Sequence, residues 1–171
     1  SNILANPNAA HRTVSDFTEG IDDDGNEIIY GNQVVESWQA GAAITKGQAL
    51  MLTAPTTTAP PTVDPMTAAV TGADSWRFCG VALESAAAGD QVRVCTKGIA
   101  LVLHDAAFDP AAYDLLVAPG TNTGDFDGIA GAATDDAVIV GYFLGGTLAS
   151  QTDTALAYVN PATVVRFEAG A

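Results

Sequence analysis

From Gly41 onward the chain carries its apolar residues in short runs that recur roughly every ten residues, each closed by Gly, Pro, Asp or Asn. No window holds an apolar stripe at helical spacing for three turns, so long helices are excluded and an all-β sandwich or barrel is what remains. The runs that read as strands are Gln48–Thr53, Trp76–Glu84, Gln91–Thr96, Ile99–Leu103, Tyr113–Ala118, Ala137–Leu144, Thr154–Asn160 and Thr163–Phe167. One segment, Asp64 to Val70, reads as a short helix, because Asp caps a helix and Pro suits its first turn.

The runs repeat. Ile44–Pro55 aligns with Phe108–Pro119, 64 residues further on, and the later strands Phe78–Leu83 and Ile139–Leu144 align with Gly80 on Gly141, 61 residues apart. Two copies are too few for a solenoid, which needs about three or more. They can close on each other as a pseudo-symmetric sandwich or small barrel. The Pro/Thr stretch Ala54–Thr62 and the polar stretch Gly120–Gly128 are the two long loops between strands.

Residues 1–40 differ from the body at 41–171. The stretch from Ser1 to Gly20 is polar and turn-rich without a regular period, which reads as an extended arm anchored by Val14, Phe17 and Ile21. Within it, Glu27–Tyr30 and Gln33–Trp38 flank Gly31-Asn32, a hairpin signal over residues 27–38.

Charge narrows the partners. With 20 Asp plus Glu against 6 Lys plus Arg, the net charge is −14, and its field repels phosphate backbones and anionic lipid surfaces. Neither a nucleic acid nor a membrane is therefore an expected partner. The chain has no apolar run of membrane-spanning length. Only 15% of residues are charged, so much of the surface is small and neutral, which suits close packing on other proteins.

Catalytic and metal motifs are thin. His104-Asp105 ends an apolar strand and is the one histidine position of catalytic interest, though an exposed turn histidine explains it; His11 lies in the arm. No GxSxG, HExxH, Walker or GxGxxG pattern occurs. Asp22-Asp23-Asp24-Gly25-Asn26-Glu27 begins like a calcium loop but lacks its Gly at the sixth position and Glu at the twelfth. No enzyme, metal or cofactor is expected. Cys79 and Cys95 lie in apolar runs and read as buried free thiols, with a bridge between neighbouring strands as the alternative. Trp38 and Trp76 read as core residues; the alternative is that they form, with Tyr30 or Tyr142, the stacking platform of a glycan-binding β-sandwich of a surface or fibre protein.

Three segments in order carry a family likeness: Gly41–Leu50 with its Ile44-Thr45-Lys46-Gly47 entry, Cys79–Ala82, and Ala86–Gly98 with its Ala-Gly-Asp-Gln-Val-Arg-Val hairpin. Over roughly two thirds of its length the chain resembles the head decoration, or capsid cement, proteins of tailed phages. The segment Gln151–Thr154 departs from that pattern, where another Gly-Asp is expected. The resemblance implies a small β-barrel or β-tulip-like body on the outside of an icosahedral head, commonly a homotrimer, whose N-terminal arm holds the major capsid protein and stabilises the expanded lattice. It implies a place on the outer surface of the virion after synthesis in the host cytoplasm. The arm residues that would touch the shell are Val14, Phe17, Ile21, Ile28, Ile29 and Tyr30. The acidic balance fits the outside of a shell whose inner wall faces DNA.

Overall fold

The structure is a computed structural model that describes residues 17–21, 27–30, 33–67, 77–120, 122–128, 138–148, 153–160 and 165–166. The described residues are all-β, as the run spacing predicts. The strands are β1 (Phe17–Ile21), β2 (Glu27–Tyr30), β3 (Val34–Gln39), β4 (Ala49–Leu52), β5 (Val63–Pro65), β6 (Phe78–Ala82), β7 (Gln91–Leu103), β8 (Leu115–Ala118), β9 (Val138–Phe143), β10 (Thr154–Val159) and β11 (Val165–Arg166). β1 and β2 pair only with each other, and the other nine strands form one antiparallel sheet with branches at β7 and β9.

β7 runs through both halves of that sheet. Gln91 to Lys97 pairs with β3, and Val94 and Cys95 pair with β6 on the other side; Gly98 to Leu103 pairs with β10. The sequence reading splits this strand in two at Lys97-Gly98. A glycine with φ +124° accounts for that apparent break: it turns the backbone without ending the ladder.

Two further expectations fail. The hairpin over residues 27–38 does not form, because β2 pairs with β1 while β3 joins β7 from Val34–Lys97 to Gln39–Gln91. Pairing with β7 sets Val35 and Trp38 against the core clusters on opposite faces of the sheet, a burial that β2 could not supply. Gln33, on the arm side of the expected boundary at residue 40, is buried, with its side-chain amide donating to the Ile99 carbonyl at 2.7 Å. The helix at 64–70 is also absent where it can be judged. Asp64 and Pro65 belong to β5, which ends the path of the sheet beside β4 and meets Ala40 only through a parallel bridge at Val63, and an edge position tolerates a residue without an N–H; residues 68–70 lie outside the described residues.

The repeat is real. In the first unit Leu50 faces Gly80 and the register then slips, so Met51 faces Phe78; in the second Leu116 faces Gly141 and Val117 faces Ile139. The turn entering β4 is closed by Gln48 N–H to Thr45 O and capped by Thr45 N–H to Gln48 Oε1; the turn entering β8 uses Asp114 N–H to Ala111 O and Ala111 N–H to Asp114 Oδ2. Gly47 and Ala82 are hydrogen-bonded as Tyr113 and Phe143 are, and Ala40 with Asp90 as His104 with Asp153. The lone bridge from Val117 to Asp127 matches the pairing of Met51 with Asp64. Each unit thus has five strand positions: β3, β4, β5, β6 and the first half of β7, then the second half of β7, β8, the 126–127 bridge, β9 and β10. The sequence alignment pairs Met51 with Leu115, two residues short of its structural equivalent Val117. An even slip keeps each side chain on its proper face, so the pattern survives the error.

Gly80 and Gly141 mark the same irregularity. Both take positive φ, +152° and +156°, and a Cβ at either would collide with the carbonyl oxygen of the neighbouring strand, Cys95 or Tyr158.

The main core lies between the units. It joins Ala49, Phe78, Val81 and Cys95 of the first to Val102, Leu116, Phe126, Val140, Phe143 and Ala157 of the second. Phe78 and Phe126 meet edge to face across it, centroids 6.1 Å apart. A smaller cluster, Ala40, Ile44, Leu50, Val63, Ala82, Val92 and Val94, fills the other face of the first unit's strands, with Trp38, Leu52 and Cys79 at its rim.

Candidate functional site

His104 and Asp105 sit where the first unit has Ala40 and Gly41. His104 is buried, 2% exposed, and so is not the exposed turn histidine that its surroundings predict. Its Nδ1 lies 2.9 Å from the Asp105 carbonyl oxygen and its Nε2 3.0 Å from the Thr147 hydroxyl. A carbonyl only accepts, so Nδ1 carries a proton, and Nε2 shares the second hydrogen bond with the Thr147 hydroxyl. Phe108 and Phe143 meet the ring edge to face. Both ring nitrogens are thus engaged within the fold, and Phe108 and Phe143 flank the ring.

The acids around it are equally engaged. Asp105 takes the Ala107 N–H at 2.8 Å and the Asn122 amide at 3.1 Å; Asp127 takes the Gly128 N–H at 2.8 Å. Burial pushes the Asp125 and Asp127 carboxyls above the usual carboxylate range, with the charge of Asp105 adding to both. The cluster pins the 104–108 turn to the 122–128 loop. Among the described residues no three His, Cys, Asp or Glu converge as a metal-ligand set.

The thiols are inert. Cys79 and Cys95 are free, and they belong to clusters on opposite faces of the sheet. Burial, with the nearby Glu36 charge, pushes Cys79 up to about 12, so it stays a neutral thiol. Trp38 is half-buried and donates its indole N–H to Glu36 at 3.0 Å. Trp76 lies outside the described residues.

What the surface does present is aromatic. Leu115 on β8 faces Tyr142 on β9, which faces Tyr158 on β10, which faces Ile99 on β7: one apolar row across four strands. Tyr113, 78% exposed, stands 6.3 Å from the Tyr142 ring, and Tyr142 stands 5.4 Å from Tyr158. The sequence reading names Tyr142 only as a companion to the tryptophans and passes over Tyr113, in the turn before β8, and Tyr158, inside β10. On β10 the available signal was the parity of Tyr158, opposite the buried Ala155 and Ala157; on β9 the irregularity beside Gly141 puts Tyr142 out of step with Val140, so alternation alone does not place it.

Of the expected shell-contact residues, Phe17 and Ile21 fall on β1 and Ile28, Ile29 and Tyr30 on β2. These five are brought together in one two-stranded ladder, with Phe17 opposite Tyr30 and Gly20 opposite Ile28. Val14 lies outside the described residues.

A chain from the capsid of Myoviridae phage XM1 has the same fold, with a TM-score of 0.50 over 87% of this chain and 93% of that one, at 16% identity. The fold is one found in a phage capsid. The N base of head fiber gp8.5 of bacteriophage phi29 gives a TM-score of 0.49 at 13% identity, over 82% of this chain and 100% of that one. No family model matches the chain, and no curated protein matches it.

Proposed function

We propose that this protein is a decoration, or cement, protein that binds the outer surface of an icosahedral phage head and stabilises the expanded lattice as a homotrimer. The observation that carries the reading is the fold shared along 87% of the chain with a phage capsid component. Two features support it. The charge of −14 keeps the protein off packaged DNA and suits an outer face. Among the described residues the β1–β2 ladder shares no rung with the strands of the body, a placement that suits a contact with a neighbour, the major capsid protein.

The action is mechanical. A clamp that binds only the expanded lattice stabilises it by mass action, and several arms acting together raise avidity well above that of one. Substrate turnover has no part in it.

The test is co-sedimentation with expanded heads. The full chain is expected to pellet with them, and a chain lacking residues 1–30 is expected to stay folded and remain in the supernatant. The deletion stops short of Gln33 because that residue belongs to the body. Full binding by the truncated chain would remove the arm's role, and failure of the full chain to bind would remove the decoration reading.

A further inference from the structure

The two units are packed front to back. The face of the first unit bearing Ala49, Val81 and Cys95 is closed by the face of the second bearing Val102, Ala118 and Val140, all six fully buried. Each of these faces has a structural equivalent on the other unit, fixed by the matching registers.

The counterparts of Ala49, Val81 and Cys95 are Leu115, Tyr142 and Tyr158. They remain apolar, yet Leu115 is 40% and Tyr142 36% exposed, and Tyr158 is half-buried. The counterparts of Val102, Ala118 and Val140 are Trp38, Leu52 and Cys79, half-buried at the rim of the smaller cluster. Both surfaces of the internal seam therefore recur away from it, and among the described residues neither meets its counterpart. A strand face meant for water alternates to polar residues; the row Leu115, Tyr142, Tyr158, Ile99 does not.

We propose that the chain associates with further copies of itself head to tail, the Leu115–Tyr142–Tyr158 face of one copy seating on the Trp38–Leu52–Cys79 rim of the next. The contact repeats between chains the seam that joins the units within one. Such a contact is heterologous, and it closes a ring when its rotation allows. The ring of three rests on the homotrimer of the proposed function and gives that trimer its surfaces. Large flat side chains are well suited to such a contact, since Tyr and Trp bury much area with few torsions to freeze.

The experiment is light scattering on the purified full chain and on three charge variants, Tyr142→Asp, Leu115→Glu and Trp38→Asp. The wild type is expected at three times the 17.4 kDa of one chain. Each variant alone is expected at one chain's mass, with an unchanged circular dichroism spectrum. Mixing Leu115→Glu with Trp38→Asp restores one good face to each partner and is expected to give a 1:1 dimer. A monomeric wild type, folded variants that still assemble fully, or a mixture that stays monomeric would overturn the head-to-tail contact. Head binding is read separately: a trimer that ignores heads sinks the decoration reading alone, and a monomer that binds them sinks this contact and the trimer while head decoration stands.

Discussion

Tyr113 and Gly47 occupy the same turn position and share its left-handed backbone, φ +74° and +89°. A non-glycine residue there loses roughly 1–2 kcal/mol to contact between Cβ and the carbonyl. Tyr113→Gly, which deletes an exposed ring, is expected to raise the unfolding free energy by up to about 1 kcal/mol in denaturant titration, after glycine's own entropy cost. It is expected to weaken self-association as well. Strain kept at an exposed aromatic is what a contact residue would show. Asp127 makes a second case. Burial raises its carboxyl above the ordinary value, so folding favours the protonated form; the favourable contribution is complete below the usual aspartate range and disappears as pH climbs through the raised value. Asp127→Asn is therefore expected to melt higher than wild type at pH 7, with the gap narrowing as pH falls through the raised value and closed once the ordinary aspartate range is passed. Glu84 runs the opposite way. Hydrogen bonds from Arg93, at 2.9 and 3.1 Å, hold its carboxyl below the usual range, so that contribution is present at neutral pH and lost on acidification. The pair is about one-third exposed, and such pairs contribute little.

At the level of strands, the parts that hold the units together carry the stability. Phe126 is fully buried against Phe78 in the core between them. Phe126→Ala is expected to cost about 3–5 kcal/mol and to lower a single unfolding transition, both units melting together. Most strands were legible in the sequence because a two-residue period and turn residues are local signals: β4, β6, β8, β9 and β10 fall inside their expected runs. β5 was hidden because Asp64-Pro65 carries stronger helix-start chemistry than strand chemistry, and the pairing with β4 overrides it. The partner of β3 was hidden for a different reason. A Gly-Asn turn is visible in sequence, whereas the competing edge of β7 is more than fifty residues away. Of the candidate sites, the arm residues are an expectation from apolar spacing, and five of the six lie on β1 and β2. The tyrosine row was not anticipated, because which face of a strand is covered depends on how the units stack.

The charge acts on the molecule as a whole. At −14 per chain, copies repel one another beyond contact range, and salt screens that repulsion over a Debye length of about 10 Å at 0.1 M. Self-association is therefore expected to tighten as ionic strength rises, read as a fall in the monomer fraction by sedimentation velocity. A phosphate binder would weaken under the same change. The wide use of alanine and glycine at strand positions fits this scale too: with few long side chains, sheets approach closely and apolar faces lie flat.

β7 ends one unit and begins the other, so a pull that separates the two halves cannot simply peel them apart. Its thirteen residues are a continuous covalent tie through both, and the load must shear six rungs against β3 or six against β10 before the halves can part. Tension across a strained shell would thus travel along backbone bonds, the stiffest path the molecule has.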